Sequence, residues 1–279
     1  MAFVKKGFNS TPVSTGYGGT GISYYLESLM LVTVFFLTAC AGLMESVPGK
    51  TGVEVQHEAA ALISMLDEKN AELRTFKGKG KITYWKNDKI TLVASAAWIG
   101  SEPDRLRVAL QSPSGQPLVS FSNDGKWFYL FSHSRGDYYK KRATDANLKR
   151  ITSIPIKTAD MVSILSGRIP VHKYSTAGVL KNESGDGVVL VLKKWWGDTL
   201  EKIYFDETRE DVRKIEMFAG KHMLVYRTEL YGLREINGYR IPSRLVFSTG
   251  DGAVFQLDIN RYWTDIAVSP SVFELVSPE

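Results

Sequence analysis

The chain has 279 residues, 44% of them hydrophobic and 11% aromatic, which suits one large domain or two small ones and is too apolar for a disordered chain. The formal charge is +5, but Lys and Arg alternate with apolar residues instead of forming the basic stripe of a nucleic-acid footprint, so no nucleic-acid partner is expected. A single cysteine, Cys40, excludes an intrachain disulfide.

Leu29 to Leu37 is apolar and uncharged, and it is far shorter than the ~20 residues that span a bilayer. It reads as the h-region of a signal peptide over residues 1–39, with Lys5 and Lys6 as the positive n-region. Thr15 to Gly21 is too rich in Gly and Thr for an ordinary n-region, which suggests a start further along. Leu37-Thr38-Ala39-Cys40 resembles the bacterial lipobox. That resemblance implies cleavage before Cys40, a diacylglyceryl group on its sulfur and acylation of the new amine. Several acyl chains, each buried CH₂ worth about 0.8 kcal/mol, make a durable anchor. Ala41 stands where an Asp would retain such a protein at the inner membrane, so the resemblance implies the outer membrane, on its periplasmic face.

Residues 40–52 (with Gly42, Pro48, Gly49 and Gly52) read as a lipidated tether, and residues 53–279 as the folded domain. Val55, Ala59, Leu62, Ile63, Leu66 and Leu73 recur at helical spacing and predict one amphipathic helix over 53–75. From Phe76 the period changes to two. Strands are predicted at 79–85, 89–99, 104–111, 116–122, 126–132 and 136–142, joined by tight turns at Asn87-Asp88, Pro113-Ser114-Gly115 and Asp124-Gly125. The middle of the chain is helical: a polar stretch at 144–150, then Thr158 to Ser166 with Met161, Ile164 and Leu165 on one face and Gly167 as C-cap. Strands resume at 174–180, 188–194, 200–205, 212–218, 223–230, 239–248 and 254–262. The fold class is therefore mainly β with a helical lid. We expect a curved antiparallel half-barrel of about eleven strands around an apolar cavity, covered by the N-terminal helix and the short mid-chain helix.

Four stretches carry a more specific resemblance: Leu73 to Ile82 (LRTFKGKGKI), Asp104 to Gly115 (DRLRVALQSPSG), Ile154 to Pro170 (IPIKTADMVSILSGRIP) and Ile241 to Trp263 (IPSRLVFSTGDGAVFQLDINRYW). In order and spacing they resemble the LolA/LolB lipoprotein-localisation family, most closely its LolB branch, the outer-membrane lipoprotein receptors. The resemblance implies a cavity that takes acyl chains, acceptance of lipoproteins from a soluble LolA-like carrier, and no catalysis. The sequence departs from LolB at the Pro-x-Gly loop, where Ser114 stands at the place of an exposed leucine linked to membrane insertion. It departs again at Thr264 to Glu279, which extends past the usual LolB end.

The expected cavity lining is Leu106, Val108, Leu110, Trp127, Tyr129, Phe131, Leu190, Leu192, Phe255, Leu257 and Ile259, with Leu62, Leu66, Met161, Ile164 and Leu165 on the lid. Periodicity alone cannot tell a lined cavity from a packed core. Two other readings stay open: a tethered shuttle for another lipid, which Ser114 favours, and an accessory structural lipoprotein with a closed core. Trp195-Trp196, behind Lys193-Lys194, sit at a hairpin tip and suit a membrane interface, although two partly buried Trp would be the commoner arrangement. His57, His133, His172 and His222 lack Glu or Cys at ligand spacing, so no metal is expected. No Gly-x-Ser-x-Gly elbow occurs, and Phe76 to Lys81 lacks the phosphate-loop spacing. The chain thus reads as a non-enzymatic monomer without a cofactor.

Overall fold

The computed structural model describes residues 52–144, 154–183, 185–220 and 223–276, all within one compact unit that runs from Ser46 to Glu279 and has its own core. The signal peptide, the lipobox with Cys40, almost all of the tether, the polar stretch from 145 to 150 and His222 lie outside the described residues.

Helix α1 spans Gly52–Glu68 and buries Val55, Ala59, Leu62 and Leu66 on one face. It stops short of the expected residue 75 because Asn70 turns left-handed at φ 53°. The Asn70 amide then donates to the carbonyls of Ser166 and Arg240, both at 2.9 Å, so this turn fastens three segments together.

Six strands follow as a meander: β1 (Thr75–Lys86), β2 (Lys89–Ser101), β3 (Arg105–Gln111), β4 (Pro117–Asn123), β5 (Trp127–Ser132) and β6 (Asp137–Arg142). The β1–β2 turn has both Asn87 and Asp88 at positive φ, 49° and 61°, the twist that two-residue hairpins prefer. Helix α2 (Thr158–Leu165) comes next. Gly167 at φ 74° lets its own N–H reach the Ile164 carbonyl (3.1 Å) and that of Arg168 reach Ser163 (2.9 Å). This is the expected glycine cap, in its Schellman form.

The remaining strands are β7 (Thr176–Lys181), β8 (Val188–Lys193), β9 (Thr199–Phe205), β10 (Val212–Ala219), β11 (Met223–Tyr231), β12 (Arg234–Ile236), β13 (Tyr239–Ile241), β14 (Arg244–Ser248) and β15 (Ala253–Thr264). Thirteen of them form one antiparallel sheet in the order β6-β5-β4-β3-β2-β1-β15-β14-β11-β10-β9-β8-β7. The sheet is curved and does not close, since β6 and β7 are its two edges. The expected half-barrel of about eleven strands is present, with thirteen strands in its main sheet. One correction follows. The strand expected over 239–248 is two strands, because Pro242 offers no N–H to a ladder; β13 pairs with β12 as a separate ribbon.

The glycines of the Phe76-Lys-Gly-Lys-Gly stretch have a packing reason. Gly78 pairs with Trp98, and Gly100 pairs with Phe76. A Cβ on Gly78 would lie 2.2 Å from the Trp98 ring, and one on Gly100 would lie 2.2 Å from the Phe76 ring. Each ring fills the space that its cross-strand glycine vacates. Phe76 also stacks on Tyr262 at 5.7 Å, whose hydroxyl donates to the Leu165 carbonyl at 2.9 Å. That chain of contacts joins the sheet to the end of α2.

Candidate functional site

On the concave side, α1 packs against β7 and α2 packs against β2 and β3. Between α2 and β1–β4, β14 and β15 a cavity of about 110 Å³ remains, lined by fourteen residues of which none is charged. Cross-strand register builds its wall. One ladder runs Phe247–Phe255–Tyr84–Leu92, another joins Leu257 to Ile82, a third joins Ala96 to Leu110, and a fourth runs Trp98–Val108–Phe121. Met161 and Leu165 of α2 close the other side.

The cavity has a direction. Tyr84, Leu92, Leu110 and Phe255 are half-buried, whereas Trp98, Leu106, Met161 and Leu165 are buried. The open end therefore faces the hairpin turns β1–β2, β3–β4 and β14–β15, which the register places at one end of the sheet. Ser114 sits exposed in the β3–β4 turn, its hydroxyl 2.8 Å from that of Ser112. At the deep end the Trp98 indole N–H is buried without a hydrogen-bond acceptor among the described residues.

Of the residues expected in the lining, Leu106, Val108, Leu110, Phe255 and Leu257 surround the cavity, together with Met161 and Leu165 from the lid. Ile164 is fully buried behind them, and Leu190, Leu192, Ile259, Leu62 and Leu66 fill the common core. Trp127, Tyr129 and Phe131 lie on the opposite face of β5. Phe121, which lines the cavity, pairs with Leu130, so Phe128 and Leu130 are the inward residues. Outside, Trp127 carries Arg142 over its ring at 4.5 Å, and Phe131 meets the edge of His133 at 4.6 Å. Tyr129 donates to Asp124 at 2.8 Å and is nevertheless buried. The C-terminal segment covers this outer face: Arg107 donates to Val272 O (2.8 Å), Ser122 to Phe273 O (2.6 Å) and Tyr138 to Leu275 O (2.7 Å). The described part of the extension, residues 265–276, is thus a strap over the convex side, with its Phe273 buried.

Sequence reasoning missed Ile82, Tyr84, Leu92, Ala96, Trp98, Phe121 and Phe247. The signal was there: once Val108 faces inward, hairpin register makes Trp98 and Phe121 its neighbours.

It also missed a polar cluster beside the lid. Asp160, in the first turn of α2, and Glu201, inside β9, are both buried. His172 bridges them, with Nε2 3.2 Å from Asp160 and Nδ1 3.2 Å from Glu201, and the Tyr226 hydroxyl donates to Asp160 at 3.4 Å. The hydrogen bonds to Asp160 and then Glu201 push His172 up to about 10, so at neutral pH it is a cation that offsets two buried carboxylates. Burial pushes the Glu201 carboxyl up. The cluster ties α2 and the segment after it to β9 and β11. Among the described residues no group of His, Cys, Asp or Glu has the arrangement of a metal site.

No family model matches the sequence, and neither does any curated protein. Solved structures do match. The chain aligns with a LolA superfamily protein from Nitrosomonas europaea at a TM-score of 0.53 and 15% identity, over 78% of this chain and 97% of that one. The fold is similar to that of this LolA superfamily protein. A proposed outer membrane lipoprotein-sorting protein domain from Vibrio parahaemolyticus gives a TM-score of 0.54 at 13% identity, covering 80% of this chain and 97% of that domain. A DUF1329 family protein from Desulfovibrio piger gives 0.56 at 11%, covering 78% and 97%. The sequence resemblance to the LolA/LolB group and the half-barrel with a helical lid therefore agree.

Proposed function

We propose that this chain is a periplasmic lipoprotein, anchored through Cys40 to the outer membrane, that accepts acyl chains of lipoproteins from a soluble LolA-like carrier into the cavity beneath α2. The observation that supports this most is an uncharged, directional cavity under a helix in a fold whose solved relatives include a domain linked to lipoprotein sorting. No catalysis is needed. A methylene gains about the same 0.8 kcal/mol in an apolar cavity as in lipid, so transfer runs near isoenergetically.

The resting cavity is small. A cavity of roughly 150 Å³ admits the six carbons of benzene, so about 110 Å³ holds the last four or so carbons of a chain. Deeper entry requires α2 to lift, against the Asp160–His172–Glu201 cluster at its start and the Tyr262 and Asn70 bonds at its end. A second reading, a tethered shuttle for another lipid, is favoured by Ser114, which puts a polar side chain at the loop where LolB-type receptors carry leucine. Both readings differ from an accessory lipoprotein with a closed core.

A transfer assay tests the proposal. A soluble carrier loaded with labelled triacylated lipopeptide is mixed with the tagged chain beginning at Ala41, which contains the whole folded unit, and the two are separated. The label is expected on this chain. Label retained by the carrier, with free acyl probe still bound here, would reject the acceptor role and leave the shuttle; binding of neither would reject both.

A further inference from the structure

Eight large apolar side chains are exposed among the described residues, and five of them, the less exposed Tyr174 included, lie at one end of the sheet. Register fixes that end. The β1–β2 turn (Asn87-Asp88), the β8–β9 turn (Lys194 to Asp198), the β10–β11 turn and the β14–β15 turn all point the same way. Ile90 is 61% exposed, Trp195 81%, Trp196 84% and Met223 64%. This is also the end at which the cavity opens.

The two tryptophans are held out by geometry. Lys194 N–H bonds the Asp198 carbonyl at 2.9 Å, and Gly197 N–H returns to the Lys194 carbonyl at 2.9 Å, with Gly197 at φ 81°. This tight turn leaves neither ring a neighbouring strand to pack on. Exposing two indoles is costly in water, so such a patch marks an interaction surface. The apolar groups sit on separate hairpin tips, not in a groove, and thus suit a broad, soft surface. Lys89 flanks Ile90, and Lys193 and Lys194 precede the Trp pair; all three are exposed, and none has a carboxylate within ion-pair distance among the described residues. Trp beside Lys is the composition of a membrane interface, where indoles sit at headgroup level and lysines meet anionic lipid.

We infer that this hairpin end docks on an anionic lipid surface, with Trp195 and Trp196 in the interface and the cavity mouth turned toward the bilayer. The inference deepens the acyl-binding reading and rests on it for the purpose of docking. An acyl chain then passes between cavity and lipid along the face of Tyr84, Leu92, Leu110 and Phe255, without crossing water. It also assigns the membrane contact to the β8–β9 hairpin, while the β3–β4 loop carries Ser114.

The test uses the chain beginning at Ala41 and vesicles of equal parts phosphatidylcholine and phosphatidylglycerol, with flotation and tryptophan emission as readouts. The double variant Trp195→Ser/Trp196→Ser is expected to lower partitioning roughly tenfold or more, since two large side chains no longer leave water. Lys193→Glu/Lys194→Glu should weaken binding to these vesicles and leave binding to pure phosphatidylcholine unchanged. Every variant is also titrated with a fluorescent acyl probe and melted. Lost partitioning with retained probe binding and unaltered Tm supports docking. Unchanged partitioning in the Trp double variant overturns docking whatever the probe does, and absence of probe binding in the parent chain overturns the cavity reading whatever the vesicles show.

Discussion

Ala96 offers the sharpest separation of a working cavity from an incidental void. It lies on β2, is buried, and faces the cavity opposite Leu110. Ala96→Leu adds three carbons into space that now holds about four carbons' worth of void. If they replace the end of a bound chain, the chain loses three methylene contacts at about 0.8 kcal/mol each, or about 2.4 kcal/mol. That corresponds to an affinity roughly sixty-fold weaker. The same carbons fill an existing void, so the folded state gains contacts instead of suffering the 1–3 kcal/mol typical of overpacking (about that range in well-packed cores). Tm should hold or rise. The assay is displacement of a fluorescent fatty acid, with thermal unfolding on the same samples. An unchanged dissociation constant in a variant that melts at or above the parent would refute the reasoning, because the probe would then be bound elsewhere.

Further expectations concern the lid, the sheet and the loop. His172 titrates from an ordinary 6.5 up to about 10 in the fold; a raised folded value means its stabilisation is complete below pH 6.5 and is lost as pH rises through about 10. Thermal stability should therefore fall between pH 7 and the alkaline limit, and His172→Gln should flatten that slope while lowering stability at pH 7; a parent chain equally stable across this window would remove the cluster's role. Gly78→Val should push the Trp98 ring off β1 and cost about 1–3 kcal/mol in denaturant unfolding, with a blue-to-red change in Trp emission. Ser114→Leu, at an exposed position on the cavity-mouth end, should leave Tm unaltered and strengthen vesicle partitioning roughly tenfold or more, by about the transfer energy of one leucine; an unaffected partition coefficient would show that this loop does not reach the lipid.

The fold was legible because its two periods are clean. Hairpin turns such as Asn87-Asp88 and the Gly167 cap announce themselves in the residues, and nearly every strand appears within a few positions of its expected bounds. Where the reading slipped, a local override explains it. Asn70 in the left-handed region ends α1 early, and Pro242 splits one apparent strand into two. The cavity was harder. On β3 the alternation of Arg105, Leu106, Arg107 and Val108 marks the inward face, and Leu106 and Val108 do face the cavity. On β5 the run Trp127 to Phe131 is apolar on both faces, because the C-terminal strap buries the outer one, so alternation cannot choose between Tyr129 and Leu130. Only a partner fixes it, through the Phe121–Leu130 pair. The Asp160–His172–Glu201 cluster brings together residues from α2, a loop and β9, and no spacing along the chain announces it.

The most direct test of an acyl-binding cavity is native mass spectrometry, followed by lipid extraction, on the chain lacking residues 1–39 with Cys40→Ala, purified from cells. Bound acyl lipid or lipopeptide is expected, and Ala96→Leu should strip it. A clean apo mass, with no uptake of added lipid, would contradict the account and leave a lipid-anchored scaffold with a closed core.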